Sequence, residues 1–173
     1  MRPERRFCTL SDRDIKQKLF NDWAADHIVA SPLPFFDLSR EGFFPSEDLV
    51  DFLLMNNGEG IYLYILFIQK SDKKSLPLYI GKTVSLYKRW VDGHIKKLQE
   101  CYANQGNGSY EKWQNQIVDK RDRVFLGCVQ DSNVRYPPIP NFPKTIGAIE
   151  YQLISLANDV YPNILLNSEG VRR

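Results

Sequence analysis

Tyr62, Tyr79, Arg89, His94 and Glu150 are the residues of this chain whose types, taken together, could hydrolyse a phosphodiester. That reaction is among the slowest without a catalyst, so a protein that speeds it must neutralise charge on phosphorus, activate a water and stabilise the leaving oxygen. Glu150 offers a carboxylate for Mg²⁺, an ion that keeps several waters and takes only one or two carboxylates from a protein. Arg89 offers a fork of donors to a non-bridging oxygen. A tyrosine with an ordinary pKa of ~10 is ionised to about one part in a thousand at neutral pH, so it acts as a base only beside a cation. Lys82, Arg89 and Mg²⁺ are the cations on offer. Taken singly, each residue has a plainer reading. Tyrosines pack well in strands, and a glutamate or arginine most often sits in a surface ion pair. The order of the set is what gives it meaning.

Those residues need a hairpin and two helices to position them. Ile61 to Ile68 and Leu76 to Ile80 are apolar runs joined by the polar Gln69 to Ser75, the pattern of a β-hairpin. Gly81 is expected to turn the chain into a helix over about 84–99, with Leu86, Trp90, Ile95 and Leu98 inward and Arg89 and His94 near the hairpin edge. A last helix, from Ile146 to about Asn158, places Ile149, Leu153, Leu156 and Ala157 on one face and Glu150 at its margin. A carboxylate there is either half-exposed at a rim or held by a cation, because burying it unpaired is costly. Between these helices the pattern predicts a helix from Tyr110 to about Lys120 and a short strand over 124–129, in which Gly127 marks a bulge or a close backbone approach. The proline-rich loop from Asp131 to Thr145 follows. Its Arg135, Tyr136, Phe142 and Lys144 read first as packing aromatics and solvated charges, with nucleic-acid contact as the alternative. Ahead of the hairpin lie a helix over about 12–27 opened by Ser11 and Asp14, an irregular proline- and phenylalanine-rich strap from Ser31 to Phe44, and a short helix opened by Pro45 and Ser46. Residues 1–57 thus read as a helical extension that covers the sheet, and 58–173 as the domain that carries the chemistry.

The tripeptides Gly60-Ile61-Tyr62 and Tyr79-Ile80-Gly81, followed by Arg89, His94, Glu150 and Asn163, resemble the GIY-YIG nuclease superfamily over roughly residues 58–167. The resemblance implies an α+β fold with a small central, largely antiparallel three-stranded sheet flanked by helices. It implies a DNA endonuclease dependent on Mg²⁺ or Mn²⁺. In it Tyr62 is the general base, Tyr79 positions phosphate or water, and Arg89 stabilises the transition state. His94 relays the proton, Glu150 binds the metal, and Asn163, with Asn167 as the alternative, supports the local structure or binds phosphate. The sequence departs from the family pattern in its spacing. Sixteen residues separate Tyr62 from Tyr79, a long hairpin for this family, whose tip carries Lys70, Lys73 and Lys74. Lys73 and Lys74 at the tip, with Lys82, are the expected DNA-binding lysines. His94 lies five residues after Arg89 where the family has one turn, which on a regular helix at ~100° per residue leaves the side chains ~140° apart. A π-bulge or kink near Gly93 is required for the two to converge. With no appended DNA-binding domain, recognition is expected to come from the hairpin tip, the Asn104 to Ser109 loop, the proline-rich loop or pairing into a homodimer, which favours a restriction-type or other freestanding nuclease on double-stranded DNA.

The composition is compatible with this and excludes several other classes. At 173 residues with 43% hydrophobic and 25% charged residues, the chain reads as one globular domain. Its longest unbroken apolar run, Ile61 to Ile68, falls far short of the ~20 residues of a membrane span, and no targeting segment opens the chain, so cytoplasmic residence is expected. Cys8, Cys101 and Cys128 are too scattered for a zinc site or a disulfide framework. The net charge of +2 hides a division at Gly58. Seven Lys and Arg stand against ten Asp and Glu before it, and sixteen against eleven from it onward. The basic surplus therefore falls where a phosphate-facing surface needs it. Two other classes share some of these features: a non-catalytic nucleic-acid-binding module with the same fold, and a protein-interaction module using Phe35 and Phe43 of the strap.

Overall fold

The computed structural model describes residues 11–38, 45–70, 72, 74–103, 116 and 122–167. Helix α1 (Asp12–Ala24) opens with a reciprocal cap in which the Ser11 hydroxyl accepts the Asp14 amide and the Asp14 carboxylate accepts the Ser11 amide. It runs on into a π-helical turn, Ala25–Val29. Strand β1 (Phe36–Asp37) and helix α2 (Glu47–Met55) follow, the latter capped by Ser46. The hairpin is β2 (Asn57–Gln69) and β3 (Ser75–Ser85). A helical segment leaves it as α3 (Leu86–Arg89), a π-helical turn (Trp90–Ile95) and α4 (Lys96–Tyr102). Strand β4 (Arg123–Gln130), a 3-10 turn (Asp131–Asn133) and the long helix α5 (Ile146–Val160), capped by Thr145, complete the described elements.

The strands form one antiparallel sheet in the order β1-β4-β2-β3, and the fold is α+β. The sheet has four strands where three were expected. Phe36 and Asp37 of the strap pair with Leu126 and Phe125, and the Leu38 amide donates to the Val124 carbonyl at 2.7 Å. A two-residue strand carries no periodicity of its own; the open edge of β4 recruits it. β2 lies inside the sheet, and every residue from Tyr62 to Ile68 is buried. Tyr62, Tyr64, Leu66 and Ile68 face a core made with α2, Leu86, Trp90 and Ile95, whereas Leu63, Ile65 and Phe67 face Phe20 and Trp23 of α1 and Ile149 and Leu153 of α5. Helices therefore cover both faces, as the near-continuous apolar run in β2 requires.

The N-terminal residues are part of this packing. Arg13 donates to the Val160 carbonyl at 2.7 Å and Lys16 pairs with Asp159 at 2.8 Å, which lays α1 along α5. A Cβ at Gly127 would collide with Ile28 and lie 2.8 Å from Phe35, so the close approach expected at this glycine is made by the segment after α1. α1 also ties down the proline-rich loop. Trp23 Nε1 donates to the Tyr136 carbonyl at 2.8 Å, the Arg135 amide donates to His27 Nε2 at 3.1 Å, and the Tyr136 hydroxyl bonds Asp26.

One local expectation changes. β3 continues through Gly81 to Ser85, so the helix starts at Leu86 and the glycine serves another purpose, described below. Pro77 marks a shift in the β2–β3 register, where Phe67 pairs with Pro77 after Leu66 has paired with Tyr79; a residue without an N–H is tolerated on this edge strand. Ile164 to Leu166 forms no strand but lies beside β3, with the Leu166 amide donating to the Leu78 carbonyl at 2.8 Å. The Asn104 to Ser109 loop and Cys8, and the helix expected over 110–120 apart from Gln116, lie outside the described residues. No helix among the described residues is long and apolar enough to cross a membrane.

Candidate active site

β3 is an edge strand, and Gly81 makes a notch in it. Gly81 lies opposite Tyr64 of β2, and a Cβ at that position would collide with the Tyr64 hydroxyl. Glycine here lets a phenol from an inner strand pass over the edge strand to the rim of the sheet. Tyr79, on the same face of β3, stacks its ring 6.3 Å from that of Tyr64. Ser85 caps the next helix, accepting the Lys88 amide, and one turn later Arg89 reaches back over the notch. Arg89 Nε donates to the Tyr64 hydroxyl at 2.9 Å, and Nη2 makes a longer contact to the Tyr79 hydroxyl at 3.4 Å.

His94 reaches the same place through the π-helical turn Trp90–Ile95, the distortion its spacing from Arg89 required. Its Nε2 lies 3.0 Å from the Tyr64 hydroxyl, and its ring centroid 5.0 Å from that of Tyr79. The ring is only 3% exposed. Burial, reinforced by the positive charges of Arg89 and Lys97, takes the His94 pKa down to about 3, so the imidazole is neutral at physiological pH. Arg89 donates to the phenol oxygen, which leaves the phenol proton for Nε2 and assigns the ring hydrogen of His94 to Nδ1. Burial also pushes the Tyr64 phenol well above the ordinary tyrosine value, outweighing the hydrogen bond from Arg89. The Arg89 pKa is raised in turn, chiefly by its bond to Tyr64. A cation does stand beside the tyrosine, as a base would need, but desolvation wins and the phenol keeps its proton.

The phenol at the centre of this cluster is Tyr64, two residues beyond the tyrosine of the first tripeptide. Tyr62 is buried on the same face but lies opposite Thr83, about 7 Å back along the strand. Strand alternation puts both tyrosines on one side; the residue facing Gly81 is the one Arg89 and His94 bond.

Glu150 approaches the rim from the opposite face of the sheet. Its side chain is 21% exposed, and Oε2 pairs with Lys82 Nζ at 3.0 Å. The carboxylate is thus held beside the residue that follows Gly81, and its charge is the last of the contributions that raise the Tyr64 phenol, behind burial. Among the described residues no group of three or more His, Cys, Asp or Glu side chains could cage a metal. One accessible carboxylate still suits Mg²⁺ or Mn²⁺, hard ions that fill the rest of their shell with water and substrate oxygens. Glu150 is the residue that would hold such an ion.

The remaining expected residues divide. Asn163 contributes its backbone carbonyl, which accepts from Gln116 Nε2 at 2.7 Å. Asn167 instead brackets Ile80, accepting its amide at 2.9 Å and donating to its carbonyl at 2.7 Å, so the side chain that holds the second tripeptide is that of Asn167. Lys74 is exposed at the hairpin tip, and Lys73 lies outside the described residues. Lys70 turns inward to the buried Asp122 at 2.6 Å and to the Gln116 carbonyl at 3.0 Å. No protein-family model, curated protein or solved structure matches the chain.

Proposed function

We propose that this chain is a divalent-metal-dependent endonuclease that hydrolyses phosphodiester bonds in double-stranded DNA, of the restriction type or otherwise freestanding. The observation that carries the reading is the hydrogen-bonded run Arg89–Tyr64–His94, flanked by Tyr79, with Glu150 held by Lys82 beside Gly81. Arg89 meets a non-bridging oxygen of the scissile phosphate and offsets the charge that grows there. Tyr64 takes the proton of the attacking water as its own passes to His94 Nε2, so no free phenolate has to form. A new P–O bond forms from water, the P–O3′ bond breaks, the 3′ oxygen takes a proton from solvent and His94 returns one. Mg²⁺ or Mn²⁺ on Glu150 would supply charge neutralisation and a polarised water.

The test is nicking of supercoiled plasmid with Mg²⁺, with Mn²⁺ and with chelator, by the native chain and by Glu150→Gln. The variant keeps its melting temperature, since a partly exposed ion pair is worth ~0–1 kcal/mol, and loses nicking by a factor of about a hundred or more. Cleavage that survives chelator or the variant sinks the reading. Salt-sensitive DNA binding with no cleavage under any condition would favour a binding module instead.

A further inference from the structure

The position of Lys82 has a consequence for how the proposed nuclease site is loaded. Lys82 projects from β3 next to Gly81, opposite Leu63, and its ammonium is 3.0 Å from Glu150 Oε2. The pair lies over the first turns of α5. A Cβ at Gly147 would lie 3.1 Å from Lys82 Nζ, so glycine three residues before the carboxylate clears room for the ammonium on the same helical face. A divalent ion binds a carboxylate oxygen at about 2.1 Å. An ammonium at hydrogen-bond distance from that carboxylate takes one of its lone pairs and opposes the ion by charge. The lysine is not locked in place: 45% of its side chain is exposed, on a flexible four-carbon stem.

We propose that Lys82 is a resident competitor for the metal, holding Glu150 while DNA is absent and moving to a phosphate oxygen when DNA arrives, which frees the carboxylate for the ion. The inference rests on the nuclease reading for the identity of the site and adds an order of assembly. DNA displaces the lysine first, and the metal is held tightly only afterwards. An ordinary site lysine, one that only recruits phosphate, would leave metal affinity without DNA unchanged.

The experiment measures Mn²⁺ binding to the full chain without DNA, from the loss of the free-ion electron paramagnetic resonance signal. Native protein is compared with Lys82→Met, Lys82→Gln, Lys74→Met and Glu150→Gln, each checked for a native melting transition. Loss of Lys82 is expected to tighten Mn²⁺ binding about fivefold, the scale of a partly exposed ion pair. Lys74→Met, which removes the same charge from the hairpin tip, leaves binding unchanged, and Glu150→Gln abolishes it. Both Lys82 variants nick DNA more slowly at saturating Mn²⁺. Binding that depends on Glu150 but is no tighter without Lys82, or equally tightened by Lys74→Met, overturns the proposal and leaves the nuclease reading standing. Mn²⁺ binding in no variant, or binding indifferent to Glu150, removes the metal site itself and the competitor with it.

Discussion

Replacing Tyr64 by phenylalanine separates the site built from geometry from the site built from the first tripeptide. The substitution removes one hydroxyl that accepts from Arg89 Nε and faces His94 Nε2, at 2.9 and 3.0 Å. A hydrogen bond to a charged group contributes ~1.5–3 kcal/mol and a neutral one ~0.5–1.5 kcal/mol. Arg89 lies at the exposed rim and recovers its bond from water, so most of that first contribution returns. His94 is buried, where water does not readily stand in for the phenol. The net loss is therefore about 2 kcal/mol, a fall in melting temperature of ~4–8 °C for a chain of this length. On the proposed reaction the effect on rate is far larger, because the relay loses its middle member; general acid–base groups contribute ~10²–10⁴. Tyr62→Phe, altered two residues away in the same core, keeps nicking within about a few-fold of the native rate. Melting curves and initial nicking rates on supercoiled plasmid measure both. An inactive Tyr62→Phe beside an active Tyr64→Phe would return the base to the first tripeptide and refute the geometric assignment.

Two further outcomes follow from the same geometry. Asn167→Ala removes both bonds to Ile80 and leaves an edge-strand amide without its partner, a loss of ~1–3 kcal/mol by urea melts, whereas Asn163→Ala, which keeps its backbone carbonyl, changes stability by less than ~0.5 kcal/mol. Folded-state His94 titrates at about 3 against ~6.5 in the unfolded chain, so below pH ~6.5 the unfolded state takes up a proton that the folded state refuses, and stability falls as pH drops through that window. The slope is about 1.4 kcal/mol per pH unit, or ~2 kcal/mol between pH 6.5 and 5. His27, also held down by burial, acts in the same direction, so His94→Gln should reduce the pH dependence of urea melts without abolishing it.

What could be read from the sequence was what has a period or a cap. The hairpin, the Ser11 and Ser46 caps and the inward positions of α5 all follow from apolar runs, helical spacing and a hydroxyl ahead of an apolar run. The π-helical turn was legible as a mismatch, one residue too many between Arg89 and His94 for a regular helix. What was not legible depends on partners distant in sequence. β1 exists because β4 has an open edge, and Asn167 matters because the chain returns to Ile80 after α5. Gly81 read as punctuation because glycine usually ends an element; here it makes room for a phenol, which appears only once the register is known. That register turns on the shift at Pro77, so choosing Tyr64 over Tyr62 required knowing where an edge strand tolerates a residue without an N–H.

The arrangement at the notch has one more physical consequence. Tyr64 and His94 are buried and held neutral, while the cations Arg89 and Lys82 stand outside them at the rim. Reversing that order would bury a charge without a partner, which costs several kcal/mol. In the proposed reaction, a buried, uncharged proton path behind a charged lip would let a tyrosine with a raised pKa take part, because it passes a proton through and never has to hold the negative charge. On this account the proton-accepting power of His94, and not the acidity of the phenol, limits the chemical step. In the proposed reaction, the negative charge that builds on phosphate would counter the positive field of Arg89 at His94 and raise its proton affinity at the moment a proton is delivered. Gly81 and the π-helical turn then have one physical role between them: the first admits the phenol to the rim, and the second places its proton acceptor behind it.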